Sequence, residues 1–283
     1  MGSVAKIIIG KNKDGTNKIL KLDRLLKPEL DKVRIRVKKK NWDYVALVAG
    51  IPGSGKSTLA RTLARYFCRW FDVSYVAFSG DDFIEITNNC PEYSSVILDE
   101  SFASLNSKVS MSEDFVKIIN HLQLIRQKHL FIFLCLPNFF DLAKGISIFR
   151  SSHLFVTYAD KIGNRGHFLV FDRDNKRKLY VKGGKYMNYN AQKANFYARF
   201  WRNDGIIDIN KYNTMKEDHM KAQNDKELRR ITNKSGRNDI LWKLHQEHGW
   251  MIKDLAVLAE IKPNTLSEAI LSIKSFLLPS TFT

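Results

Sequence analysis

The residues best suited to chemistry are Gly50–Ser57, which read Gly-Ile-Pro-Gly-Ser-Gly-Lys-Ser. This is the G-x-x-x-x-G-K-[ST] pattern of a phosphate-binding loop. Its glycines let backbone N–H groups face a polyphosphate, and the N-terminal end of a following helix adds positive charge. We expect ATP to bind here, with Lys56 on the β- and γ-phosphates and the Ser57 hydroxyl on Mg²⁺. The expected nucleotide-binding residues are Gly50, Ile51, Pro52, Gly53, Ser54, Gly55, Lys56, Ser57 and Thr58.

The flanking segments separate a phosphate loop from a glycine-rich turn that binds nothing. Tyr44–Ala49 is a short apolar run of the kind that forms a buried strand. After the loop, apolar residues recur at helical spacing from Leu59 to Phe67. A strand, a loop and a helix in this order favour the phosphate-binding interpretation.

A second group of reactive residues follows the apolar strand Ser95–Leu98, which ends at Asp99 and Glu100. An acid in this position lies beside the phosphate loop, so we expect Asp99 to hold Mg²⁺ through water. Glu100 is then the base that orients and polarises the attacking water. An Asp-Glu pair also follows apolar strands by chance, and that alternative stays open.

Two further polar residues complete the expected catalytic set. Asn138 follows the apolar strand Leu130–Leu136 and is suited to sensing the γ-phosphate; a turn residue after Pro137 is the alternative. Arg150 precedes the strand His153–Tyr158, where an arginine from a neighbouring subunit would stabilise the transferring phosphoryl group. A surface arginine is the alternative. Weaker candidates for the same role are Arg126, Arg165 and Arg199.

The elements that must position these residues alternate between strand and helix from residue 44 onward. This predicts an α/β fold with a parallel sheet flanked by helices. Before it, residues 1–24 form a hairpin turned at Asp14-Gly15. Residues 28–43 form a charged, solvated strand, or alternatively a rim that contacts phosphates. Other expected elements are a strand Val73–Phe78, a helix from about Ser112, a helical stretch to about Phe149, and a hairpin pairing Phe168–Phe171 with Lys178–Val181.

The C-terminal part changes character. Residues 211–238 are polar and charged and resemble a linker that is helical in part. Within residues 239–283, Asp239–Ile273 predicts three short helices, with Pro263 near the start of the third, which resembles a helix-turn-helix. DNA would then be contacted by Lys262, Asn264, Thr265 and Ser267. The alternative is a plain helical bundle that docks on the ATPase domain.

The formal net charge of +17 over 283 residues favours a polyanionic partner, and we expect DNA. Asn195–Arg202 interleaves aromatic residues with arginines. It either stacks on single-stranded bases or, as we favour, closes an edge of the sheet. No apolar run approaches membrane-span length, so we expect no membrane partner and a cytoplasmic location, or host cytoplasm or virion for a viral protein. Three cysteines without metal-ligand spacing predict buried free thiols.

Several of these segments together resemble the FtsK/HerA-type DNA-pumping ATPases, which are RecA-like P-loop ATPases with an additional strand and a catalytic glutamate. The resemblance is carried by Ile9-Gly10-Lys11, Asp14-Gly15, Leu20-Lys21-Leu22, the loop with its strand, and the run from Asp141 through Ile146 and Arg150 to Val156. It implies a RecA-like core, ATP hydrolysis and a ring, expected to be a hexamer. In that family a polar sensor lies near the position of Asn138, and an arginine finger lies before the last core strand.

We therefore divide the chain into a hairpin and basic segment (1–43), an ATPase domain (44–210), a charged linker (211–238) and a helix-turn-helix domain (239–283). The leading hypothesis is a DNA-dependent ATPase that moves or remodels DNA. One alternative is a P-loop kinase acting on a nucleotide or nucleic-acid end, with Asp81 or Asp82 as its base. Another is a regulator whose DNA binding is gated by ATP.

Overall fold

The computed structural model describes residues 4–11, 14–99, 113–203, 205–259, 263–264 and 266–267. Its contacts divide the chain into two units, Met1–Thr214 and Met215–Thr283. The strands are β1 Val4–Lys11, β2 Asn17–Asp23, β3 Tyr44–Ala49, β4 Val76–Ala77, β5 Ser95–Leu98, β6 Phe131–Leu136, β7 His153–Tyr158, β8 His167–Phe171 and β9 Phe196–Arg199. The α-helices are α1 Leu26–Lys40, α2 Lys56–Phe67, α3 Gly80–Asn89, α4 Glu113–Leu124, α5 Arg173–Gly183, α6 Ile209–His248 and α7 Ile252–Leu258.

The first unit is built on a seven-stranded sheet in the order β4-β5-β6-β3-β7-β8-β9. The five strands from β4 to β7 are parallel, and β8 and β9 extend the sheet in antiparallel orientation. Strand β6 lies between β3, which leads into the phosphate loop, and β5, which ends before Asp99. The α/β fold expected from the sequence, a parallel sheet flanked by helices, is confirmed.

Both faces of this sheet are covered. On one face, Phe67 of α2 stacks on Phe131 with ring centroids 4.3 Å apart. On the other, Phe83 of α3, Ile118 of α4 and Leu179 of α5 join one buried cluster with alternate residues of the central strands. Because every residue of β3 is buried, the strand is apolar along its whole length and holds the loop on a fixed support.

The expected hairpin at the N-terminus is confirmed as β1 and β2, which pair in antiparallel orientation. The expected charged strand over residues 28–43 is wrong, because helix α1 occupies Leu26–Lys40. Leu26, Leu30, Val33 and Val37 lie on one buried face of that helix. The alternation that suggested a strand came from Ile35, which is more than half exposed.

Two further expected elements differ in the structure. The strand Val73–Phe78 is mostly a 3₁₀ turn, Val73–Tyr75, followed by the two-residue β4. The segment Lys178–Val181, expected to pair with Phe168–Phe171 in a hairpin, lies within helix α5. Asp172 caps this helix by accepting a hydrogen bond from the Asn175 N–H at 2.8 Å. The antiparallel partner of β8 is β9, so Asn195–Arg202 closes the sheet edge as favoured from the sequence.

The segment interpreted as a linker lies within α6, a helix of 40 residues. The sequence of this segment contains few apolar residues that could mark a buried face, so its pattern did not predict one continuous helix. Gly249, at a φ of +69°, follows the helix and precedes α7. In the second unit, Leu241, Leu255, Ala256 and Leu266 form a small buried core. Within the described part of the chain, no helix is both long and apolar enough to cross a membrane.

Candidate nucleotide-binding site

The loop between β3 and α2 requires glycine at two positions. Gly50 has a φ of +152°, and a Cβ there would lie 2.5 Å from the backbone oxygen of Thr157 on β7. Gly55 has a φ of +98°, and a Cβ there would lie 2.6 Å from the ring of Phe200. These positive φ values favour glycine, and the close approach of β7 and of the segment after β9 excludes a side chain. Contacts with Thr157 and Phe200 therefore leave room only for glycine at these two positions of the loop.

Ser54 holds the middle of the loop in place. Its hydroxyl donates to the Ile51 carbonyl at 2.7 Å and lies 2.7 Å from the Thr157 hydroxyl. Thr157 in turn donates to the Ala49 carbonyl at 3.1 Å. Ser54 is almost fully buried, so these bonds fix the turn from beneath and leave its outer side for a ligand.

Lys56 opens helix α2 at the end of the loop. Its ammonium group donates to the Gly50 carbonyl at 2.8 Å and to the Ile51 carbonyl at 3.0 Å. The side chain therefore folds back across the loop, which brings its positive charge to the place where a polyphosphate would lie.

Ser57 and Asp99 meet at the mouth of the loop. The Ser57 hydroxyl donates to Asp99 Oδ1 at 3.0 Å, although the two residues are 42 positions apart. The Asp99 backbone N–H donates to the Ala77 carbonyl at 2.8 Å, which ties the end of β5 to β4. A hydroxyl and a buried carboxylate are hard oxygen donors of the kind that Mg²⁺ prefers. The donor set fits this ion.

Tyr212 completes the surroundings of Asp99 and was missed in the sequence. Its hydroxyl donates a short hydrogen bond to Asp99 Oδ2. Burial and the neighbouring carboxylate raise the pKa of Tyr212 above its usual value, so it remains a donor at neutral pH. The only sequence signal is a lone aromatic residue in a charged segment, 113 positions after Asp99. Such a signal identifies no partner.

Arg61 packs against the same tyrosine. Its guanidinium carbon lies 4.6 Å from the centroid of the Tyr212 ring, while Nε donates to the Ser57 carbonyl at 3.1 Å. Its Nη1 atom is buried with no hydrogen-bond partner among the described residues. Arg61 also lines a cavity of about 290 Å³ beside the loop. Other residues of that cavity include Thr58, Arg165, Arg202, Asn203 and Tyr212.

Arg165, one of the arginines considered for catalysis, lies near the loop. It follows β7, and its Nη2 lies 3.7 Å from the position that a Gly53 Cβ would occupy. Arg150 lies elsewhere. It forms an ion pair with Asp43 and donates to the Leu122 carbonyl at 2.7 Å. Asp43 directly precedes β3, so Arg150 lies at the amino-terminal end of that strand, whereas the loop follows its carboxyl end. The structure does not bring it to the loop of its own chain.

Asn138 lies two residues beyond β6, at the same sheet edge as the loop. Its amide nitrogen donates to Asp141 Oδ2 at 3.0 Å, and its oxygen accepts from the Tyr189 hydroxyl at 3.1 Å.

Helix α3 also begins at the carboxyl end of the parallel strands, after β4. Ser79 caps it by accepting from the Asp82 N–H at 3.1 Å, so Asp81 and Asp82 lie in the first helical turn.

Several expected site residues, Glu100, Lys262 and Thr265, lie outside the described residues. Asn264 is exposed, and the Ser267 hydroxyl donates to the Pro263 carbonyl at 3.0 Å, a bond within one helical turn. The prediction that the cysteines are buried is confirmed for Cys68, Cys90 and Cys135. Burial raises the pKa values of Cys68 and Cys90.

Residues 30–156, less than half of the chain, match the model of a family described as Novel STAND NTPase 3. No curated protein matches the chain. Among solved structures, the genome packaging NTPase B204 of Sulfolobus turreted icosahedral virus 2, in complex with ATP-gammaS, is 14% identical with a TM-score of 0.34. That likeness covers 47% of this chain and 94% of the other.

Two other solved structures show comparable likeness. The N-terminal domain of zonular occludens toxin from Neisseria meningitidis is 15% identical with a TM-score of 0.40, over 58% of this chain and 97% of that one. The FIGL-1 AAA domain with ADP is 13% identical with a TM-score of 0.37, over 60% and 77%. We assign none of their activities to this chain on such remote likeness. The glycine loop between strand β3 and helix α2 is that of a P-loop fold, and residues 30–156, which contain it, match a family of NTPases.

Proposed function

We propose that this chain hydrolyses ATP and uses the reaction to move or remodel DNA, as a ring of identical subunits. The observation that carries hydrolysis is the contact between Ser57 and Asp99 at 3.0 Å, beside a loop whose lysine is already folded over it. This contact supports the proposal because it brings together a hydroxyl of the phosphate loop and a carboxylate at the end of β5, the two groups proposed to hold Mg²⁺.

Each residue has a defined task in the proposed reaction. Backbone groups of Gly50–Ser57 cradle the phosphates, and Lys56 neutralises the β- and γ-phosphates. Ser57 and Asp99 hold Mg²⁺, which neutralises charge on the transferring phosphoryl group when bound. Glu100 directly follows Asp99 and is proposed to accept a proton from the attacking water. Asn138 is proposed to sense the γ-phosphate from the end of β6.

The partner is proposed to be DNA because the chain carries a formal net charge of +17. In this proposal the second unit contacts a groove through Lys262, Asn264, Thr265 and Ser267, as a helix-turn-helix would. The buried position of Ala256 in the small core is compatible with two helices crossing closely there.

The ring form, with a hexamer as the expected size, would bring an arginine of one subunit to the nucleotide of the next. Arg150 remains the proposed trans residue, and it would have to leave its ion pair with Asp43 to take that role. Arg165 is positioned to supply positive charge within the same chain.

The test is phosphate release with and without single-stranded and duplex DNA, for the wild type, Lys56→Ala and Glu100→Gln. We expect turnover stimulated by DNA, lost in both variants, with ATP binding kept in Glu100→Gln only. Turnover that is indifferent to DNA would contradict the motor. Transfer of label to an acceptor would favour the kinase alternative, and Asp82→Asn would then identify its base. Normal DNA binding without turnover would favour the ATP-gated regulator.

A further inference from the structure

A second concave site lies at the amino-terminal end of the parallel strands, whereas the phosphate loop lies at their carboxyl end. It is a cavity of about 510 Å³, within the range of about 300–1,000 Å³ that is typical of ligand pockets. Its walls come from the segment before β3, the end of α4 with the following 3₁₀ turn, the turn before β7 and the start of α5. The lining residues used below are Trp42, Asp43, Arg126, Phe149, Arg150 and Arg173.

Two aromatic side chains of this cavity are unusually exposed for their size. Trp42 is 42% exposed and Phe149 is 64% exposed. The Trp42 ring is flanked by cations, with Arg36 Cζ at 5.4 Å and Arg126 Cζ at 6.0 Å from its centroid. These cation–π contacts hold the indole in place and bring positive charge to the cavity wall.

The charge in the cavity is strongly positive. Three arginines line it, Arg126, Arg150 and Arg173, against a single carboxylate, Asp43. Asp43 is buried and already paired with Arg150, so Arg126 and Arg173, both exposed, remain to attract an anion. Nη2 of Arg173 donates to the Phe149 carbonyl at 3.3 Å, which ties this cation to the backbone of the residue that carries the exposed ring. Aromatic faces and guanidinium groups therefore share one site.

The positive charge continues beyond the cavity. Helix α1 ends in Lys38, Lys39 and Lys40, all exposed, and Trp42 follows two residues later. A ligand with one anionic group would contact only the cavity. The further cations at the end of α1 could contact successive phosphates of a nucleic-acid strand. Exposed aromatic rings stack on unpaired bases, and bases already stacked in a duplex cannot enter such a cavity.

We propose that this cavity binds a segment of single-stranded nucleic acid, with a base against Phe149 and the adjacent phosphates on Arg126, Arg173 and the end of α1. The inference rests on the proposed action on nucleic acid and adds its point of contact on the ATPase unit. Because the cavity is at the amino-terminal end of the parallel strands and the loop is at their carboxyl end, the nucleic-acid strand and the nucleotide would bind at separate sites of the same chain.

The experiment measures fluorescence anisotropy of a labelled oligothymidine and of a labelled duplex of equal length, with the full chain. We expect Phe149→Ala to weaken oligothymidine binding about tenfold, because stacking one base is lost. We expect Arg173→Gln to weaken it and to lower the slope of log affinity against log salt by about 1. Tyr186→Ala is the matched control, since Tyr186 is 75% exposed beside Lys185 but does not line the cavity.

The outcomes separate the two proposals. Phosphate release without DNA and the midpoint of thermal unfolding should be unchanged in Phe149→Ala, because its side chain is mostly exposed. If the wild type binds DNA but Phe149→Ala and Arg173→Gln match Tyr186→Ala, the cavity is not the contact and the DNA motor still stands. If Phe149→Ala changes the oligomeric state, the cavity is a contact between copies of the chain, which overturns this inference. If the wild type binds neither DNA, both proposals fail.

Discussion

Asp99 accepts hydrogen bonds from two hydroxyl groups, those of Ser57 and Tyr212, one on each carboxylate oxygen. The first belongs to the phosphate loop and the second to the first turns of α6. A carboxylate held from both sides presents its oxygens in one orientation. Tyr212 is therefore a positioning residue for the proposed Mg²⁺ site, since it acts through Asp99.

Tyr212→Phe tests this role because the ring keeps its packing against Phe78 and Arg61 while the hydroxyl is lost. We expect the Mg²⁺ concentration for half-maximal hydrolysis to rise about tenfold, the low end of the usual effect of such partners. A Mg²⁺ titration of phosphate release measures it. Tyr197→Phe, at an exposed tyrosine, is the control and should not shift the titration. An unaltered titration in Tyr212→Phe would refute the positioning role.

Lys176 shows how burial alters a single charge. Its side chain is fully buried, with the ammonium group donating to the carbonyl and hydroxyl of Ser151. Burial, with a smaller contribution from Arg173, lowers the pKa of Lys176 from 10.5 to about 7. Between these two values the unfolded chain binds a proton that the folded chain has released. Stability should therefore rise with pH across that window and be unaffected by this group below it.

Urea unfolding at several pH values tests this sign. We expect Lys176 to add up to about 1.4 kcal/mol of unfolding free energy per pH unit above pH 7. Lys176→Met should remove this slope, whatever its effect on stability at one pH. Lys178→Met, at an exposed lysine of the same helix, should keep the slope. Equal slopes in all three proteins would mean that the pKa of Lys176 is not lowered.

At the scale of elements, a single cap decides the path of the chain after β8. Asp172 accepts from the Asn175 N–H at 2.8 Å and from the Asn195 amide nitrogen at 2.6 Å. The first bond starts helix α5, and the second ties that start to the approach to β9. The cap thus fixes both the helix and the segment that returns to the sheet edge.

Asp172→Ala should lower the free energy of unfolding by about 1–2 kcal/mol, since a capping side chain is lost. Chemical denaturation measures this change. Asp174→Ala, in the same first turn but exposed, should stay within about 0.5 kcal/mol of the wild type. Equal effects of the two substitutions would show that the cap contributes nothing beyond the charge.

At the scale of the whole molecule, the net charge of +17 dominates any encounter with a polyanion. We expect affinity for duplex DNA to fall about 100-fold between 50 and 200 mM salt, which corresponds to roughly four phosphate contacts. Binding titrations at four salt concentrations measure the slope. A slope near zero would exclude phosphate contacts as the source of affinity, and with them the charge argument for DNA.

The features that could be predicted from the sequence are those set by residues close to one another along the chain. Gly50–Ser57 was recognisable because a phosphate loop is contiguous and its turns require glycine at fixed spacing. The central strands were recognisable because they are buried on both faces and therefore continuously apolar. Helix α1 was mistaken for a strand because Val33, Ile35 and Val37 alternate with basic residues. The helical spacing of its buried residues, which begins at Leu26, was overlooked. Helix α5 was missed because Lys178–Val181 was interpreted as the second strand of a hairpin, so Asp172 was not recognised as a helix cap.

The amino-acid sequence by itself determined the phosphate loop, the apolar strands beside it and the basic character of the chain, because each follows from neighbouring residues or from composition. Only the tertiary structure decided what those residues meet. It placed Tyr212 on Asp99, Arg165 near Gly53, and Arg150 on Asp43 at the far edge of the sheet. Such pairs join residues about a hundred positions apart. Their proximity depends on strand order and on the path of the chain around the sheet, which no local pattern encodes.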